Sequence, residues 1–146
     1  MKKKFITVVA ALALLVSTSF ANNTTEPSQD IKTEFNRLFT NSTNVKWQMV
    51  SNFYMATFKQ GEQYLTAYFN PLGKMEAVSR NISTTALPLM LQKGLEDRRK
   101  NNWITETAEL VNNNGTQYYI TLENANTKTI YQSSGSEWTV YKSSEK

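Results

Sequence analysis

The feature that most constrains this chain is the period of its apolar residues, which changes from helical to extended and does so twice. SQDIKTEFNRLFTN places Ile31, Phe35, Leu38 and Phe39 at helical spacing, with Ser28 as an N-cap and Asn41-Ser42 as a stop. Beyond Asn44 the period falls to two and turn residues recur at short intervals. This predicts strands over Val45–Val50, Phe53–Lys59, Tyr64–Asn70 and Met75–Arg80, joined by turns at Gly61-Glu62 and Asn70-Pro71-Leu72-Gly73. STTALPLMLQKGLEDRRKNN predicts a second helix, capped at Ser83, Thr84 or Thr85. Pro88 sits in its first turn, and Leu87, Met90, Leu91 and Leu95 share one face. Strands then resume over Trp103–Val111, Gln117–Glu123, Thr127–Gln132 and Glu137–Lys142, with a turn at Asn113-Asn114-Gly115. A helix plus four strands, stated twice, predicts an α+β fold. Two helices pack on one face of an antiparallel sheet, and a tandem repeat is suspected with halves 28–82 and 83–146 of a single domain over 28–146.

The segment before this pattern is of another kind. Lys2, Lys3 and Lys4 precede an apolar run from Phe5 to Val16 and small residues up to Ala21, the order of a secretory signal peptide cut after Ala21. The run is shorter than the roughly 20 residues a spanning helix needs, so no membrane span is expected after cleavage. Residues 22–27 are expected to form a disordered lead-in, and the protein to be exported, periplasmic or secreted. Cleavage removes three of the 16 Lys+Arg and none of the 12 Asp+Glu, leaving 13 against 12. A formal charge of +1 gives nucleic-acid binding no electrostatic basis.

Chemistry is bounded by what is missing. The sequence has no His and no Cys, which excludes His-based triads, thiol nucleophiles, disulfides and Cys/His metal sites. Its glutamates are scattered without a motif, Asp occurs only at Asp30 and Asp97, and the five glycines form no phosphate loop. No catalytic residue, metal or cofactor is expected. What remains is aromatic surface. Alternation groups Tyr54, Ala56 and Phe58 with Leu65, Ala67 and Phe69, and in the second half Ile104, Ala108, Leu110, Tyr118, Ile120, Leu122, Ile130, Trp138 and Val140, as the helix-covered set. The other face is then rich in Tyr and Thr. Either it is a solvated sheet face, for which both residues have good propensity, or it binds a protein or peptide, with Tyr64, Tyr68, Tyr119, Tyr131 and Tyr141 as partner-binding candidates. An alternative use of the same surface is to bind a small ligand or an envelope polymer.

NVKW after a helix, then YMATF, YLTAYFNPLGKM and a helix opened by ALP, is similar to the PepSY-like, beta-lactamase-inhibitor-like proteins exported by Bacteroidota. The match runs from about Thr33 to Trp138, and is carried by Trp47, Tyr54-x-Ala56-x-Phe58, Ala67-Tyr68-Phe69-Asn70 before Gly73, and Leu87-Pro88. The resemblance implies helices packed on one face of an antiparallel sheet, and an exported protein whose open sheet face binds another protein.

Overall fold

A computed structural model describes residues 25–146; the expected leader and the first residues of the lead-in lie outside the described residues. Thr25–Pro27 carry no regular structure, and the Glu26 carboxylate pairs with Lys32. Two helices and eight strands follow: α1 (Gln29–Leu38), β1 (Thr43–Val50), β2 (Phe53–Gln60), β3 (Gln63–Phe69), β4 (Met75–Asn81), α2 (Leu89–Glu96), β5 (Trp103–Asn112), β6 (Gly115–Glu123), β7 (Thr127–Ser133) and β8 (Thr139–Glu145). The strands form an antiparallel sheet in chain order, an α+β fold. The chain divides into two compact units at the middle of β4, between Val78 and Ser79. Among the described residues, no helix is long and apolar enough to cross a membrane.

In the first unit the sequence pattern is realised directly. Ser28 caps α1, its Oγ accepting from the Ile31 N–H at 3.5 Å, and Asn41 takes a positive φ of 66° as the chain leaves the helix. The inward residues Ile31 and Phe35 meet Ala56, Phe58, Ala67 and Phe69, with Trp47, Tyr54 and Leu65 at the margin. Ala56 lies opposite Ala67 and Trp47 opposite Ala56, so small residues at the centre leave room for the helix. Phe35 fills it, its ring 4.9 Å from Phe58 and 5.3 Å from Trp47 at steep interplanar angles. The turns are those predicted: Gln60 pairs with Gln63 across Gly61-Glu62, and Gly73 N–H donates to the Asn70 carbonyl.

The second unit departs from expectation at three places. Its helix is a turn shorter at the start: Thr84–Ala86 form a 3-10 turn, Leu87 is extended (φ −67°, ψ 151°), and α2 begins only after Pro88. The Pro88 ring clashes with a helical conformation at Leu87 and forces the break. Leu87, Leu91 and Leu95 are buried as expected, but Met90 is 62% exposed, because the later start leaves it on the outer side of the first turn. The strands carry the other two departures, one at a bulge in β5 and one in the pairing of β7. In β5 the register shifts between Ile104 and Glu106, so Ile104 opposes Leu122 but Thr107 opposes Ile120. Thr107 therefore lies on the helix side, and Ala108 and Leu110 on the far side, the reverse of their expected assignment. In β7, Ile130 opposes Thr121 and Tyr131 opposes Ile120, which again exchanges the expected sides. A second register shift at Ile130/Tyr131 lets β8 follow. The unit's core is Leu87, Leu91, Leu95, Ile120, Leu122 and Trp138, with Tyr131 packed against it.

Candidate functional site

The sides of the strands that the helices do not cover are built from the residues alternating with these cores. In the first unit they are Phe53, Met55 and Thr57 on β2 and Tyr64, Thr66 and Tyr68 on β3, with Met55 opposite Tyr68 and Thr57 opposite Thr66. The two threonine hydroxyls are 3.4 Å apart, a cross-strand pair. In the second unit the corresponding residues are Glu106, Ala108 and Leu110 on β5, Gln117, Tyr119 and Thr121 on β6, and Ile130 and Gln132 on β7. An antiparallel sheet side that faces water usually alternates to polar residues. These do not: Phe53, Met55, Ala108, Leu110, Tyr119 and Ile130 are apolar, nearly without accessible area, and belong to neither helix-centred cluster.

The five candidate tyrosines separate on this frame. Tyr64 is 60% exposed near the turn end of β3, whereas Tyr68, on the same side, is fully enclosed. Tyr119 is 5% exposed, donates its hydroxyl to Gln117 Oε1 at 2.8 Å, and packs edge-on against Tyr141 with ring centroids 5.9 Å apart. Tyr141 is half-buried, and that burial raises its phenol pKa. Tyr131 leaves the group altogether, since it lies on the helix side with the Arg98 guanidinium 5.4 Å from its ring centre. The structure therefore brings Tyr119 and Tyr141 together, keeps Tyr64 and Tyr68 on one strand side, and removes Tyr131.

Two polar features were not signalled by the sequence. Glu106 stands on the helix-free side opposite Thr121, and burial raises its carboxyl pKa against the opposing pull of Lys128. Strict alternation from Ile104 would put Glu106 under the helix, and the bulge moves it to the far side. The other is a cleft at the β7–β8 turn, lined by Gln117, Gln132, Ser133, Ser134, Ser136, Glu137 and Thr139, which polar composition alone reads as a surface loop. Among the described residues no group of three or more acidic side chains could hold a metal ion.

No protein-family model matches the sequence, and no curated protein matches it. Solved structures do. A BLIP-like protein from Bacteroides fragilis NCTC 9343 matches with a TM-score of 0.67 at 19% identity, over 83% of this chain and 87% of its own. A DUF2874 family protein from Bacteroides uniformis ATCC 8492 gives 0.73 at 9% identity, over 82% and 90%. A candidate periplasmic protein from Bacteroides eggerthii DSM 20697 gives 0.74 at 8%, over 83% and 90%. None of these descriptions mentions PepSY. What the likeness carries is the fold, and in fold this chain matches the BLIP-like and DUF2874 proteins of Bacteroides.

Proposed function

We propose that this protein is an exported, non-catalytic interaction module, inhibitor-like in shape, that binds a protein or peptide through the helix-free sides of its strands. The observation that carries the reading is the apolar character of those sides. Met55, Leu110 and Ile130 are themselves enclosed but occupy positions that a solvated sheet gives to polar residues, and Tyr64, on the same side as Met55, is 60% exposed, an aromatic of the kind enriched at interfaces. The contacts are Tyr64 and Tyr141, the rings with accessible area, and Tyr119 acts as a positioning residue behind Tyr141. The BLIP-like and periplasmic descriptions of the structural matches favour this reading over catalysis, and the absence of His and Cys from the sequence limits what chemistry could replace it.

The test is affinity capture from the native cell envelope, with the protein and its Tyr64→Ala/Tyr141→Ala form as baits. A partner retained by the first and lost from the second, with unfolding midpoints within a few degrees, supports the module. An identical set of retained proteins from both baits rejects this contact surface. Tyr131→Ala serves as a contrast: it removes a ring packed on the helix cluster, so it lowers stability and leaves the contact surface unchanged.

A further inference from the structure

The cleft at the β7–β8 turn differs in chemistry from the apolar sides. It measures about 350 Å³, close to the lower limit of ligand pockets at roughly 300 Å³, and lies wholly within the second unit. Every lining residue is polar: two amides, Gln117 and Gln132, the hydroxyls of Ser133, Ser134, Ser136 and Thr139, and one carboxylate, Glu137. Three of these groups are fixed by the protein. Gln117 Oε1 accepts from Tyr119, which leaves its amide hydrogens as the free donors; Ser133 Oγ accepts from the Gly135 N–H; and Thr139 Oγ1 donates to the Gln132 carbonyl. Among the described residues, the side chains of Gln132, Ser134, Ser136 and Glu137 make no hydrogen bond or ion pair. Fixed donors and open donors and acceptors therefore share one concavity.

The lining decides which ligands fit. With no Lys or Arg in the cleft, phosphates and carboxylates meet no counter-charge, and with no apolar lining residue, lipid chains gain nothing by entering. A neutral polyhydroxylated molecule suits it, because each hydroxyl both donates and accepts, matching mixed amide, hydroxyl and carboxylate groups. We propose that this cleft is a saccharide-binding subsite, in which Glu137 and Gln132 hold vicinal hydroxyls and Gln117 donates to a third oxygen. A half-open site without a stacking ring in its lining gives weak affinity, Kd about 1 mM. The subsite is independent of the protein-binding reading, since none of its lining residues is among the tyrosines proposed there.

Amide chemical shifts of isotopically labelled protein test the proposal, with glucose, galactose, mannose, N-acetylglucosamine, maltose and cellobiose as probes and ethylamine as a cation without hydroxyls. The expected result is a saturable shift of the Gln117, Gln132, Ser134 and Ser136 resonances with at least one sugar. Gln132→Ala should weaken it tenfold or more, and Ser136→Ala, in an exposed turn that cannot disturb the fold, should weaken it severalfold. Glu137→Gln keeps an acceptor and should retain sugar binding in weakened form, whereas binding of a cation would be lost. No saturable shift with any sugar up to about 50 mM, well above a millimolar Kd, overturns the proposal. So does a response to ethylamine alone that Glu137→Gln abolishes, or a sugar response that maps away from the cleft.

Discussion

Gly94, inside α2, costs about 1 kcal/mol relative to Ala by intrinsic helix propensity, so Gly94→Ala should stabilise the protein if only the helix mattered. The structure predicts the opposite sign. A Cβ at position 94 would stand 3.2 Å from Trp138 Cδ1 and 3.7 Å from its Nε1, so the indole must give by a few tenths of an ångström. It is poorly placed to do so. Trp138 is 5% exposed, its Nε1–H donates to the Leu91 carbonyl at 3.0 Å, and Arg98 bridges the Gly94 and Trp138 carbonyls. Overpacking a closed site costs about 1–3 kcal/mol, which exceeds the propensity gain and leaves Gly94→Ala destabilised by about 1 kcal/mol. Removing the obstacle inverts the sign. In a Trp138→Leu background, which itself costs about 3 kcal/mol, the new methyl group meets open space and only the helix gain remains. Urea unfolding followed by far-UV circular dichroism on the four proteins of this cycle gives the coupling directly, expected at about 2 kcal/mol. If Gly94→Ala stabilises both backgrounds equally, the indole is not what holds this position to glycine.

The remaining predictions concern the two cores and one acid. Phe35→Ala removes a buried ring in contact with the rings of Phe39, Trp47, Phe58 and Phe69, and should cost about 4 kcal/mol in urea unfolding, with a value below about 1.5 contradicting the packing described. Ser28→Ala should cost about 0.5 kcal/mol, near the low end for caps because the bond is long at 3.5 Å, and an equal loss from Thr25→Ala would assign the effect elsewhere. Glu106 titrates higher folded than the 4.5 of an unperturbed glutamate, because of burial, so the folded state holds its proton more tightly. That contribution favours folding at low pH and is lost as pH rises from 4.5 through the folded value. Glu106→Gln should therefore raise the thermal midpoint at pH 7, by the equivalent of a few tenths of a kcal/mol for so partly screened a group, and the gain should vanish below pH 4. A gain independent of pH would mean that the substitution acts through something other than charge.

How far each of these features could be read in the sequence depends on whether its signal is apolar period or polar position. In β2 and β3 the period is uninterrupted, since FYMATFKQ and QYLTAYF pair without a bulge, and alternation assigns every ring to its correct side. In β5, TETAEL offers Thr107 and Ala108 as near-equals in size, so nothing in the string marks which belongs under the helix once the bulge at Ile104/Glu106 shifts the parity. Tyr131 misleads for a related reason. Its ring packs against the Leu91 cluster while Arg98 covers one face, and an amphipathic side chain of that kind satisfies either side of a sheet. Pro88 was legible as a tolerated first-turn residue, yet its restriction of Leu87 decides where α2 begins. The cleft is harder still, because Gln117, Gln132 and Glu137 are separated in sequence and each alone is an ordinary surface residue; only strand pairing makes them neighbours. A fold held by period can thus be inferred before its structure is seen. A polar site assembled from three strands and a turn cannot be, which is why in a chain without His or Cys the functional evidence has to come from geometry.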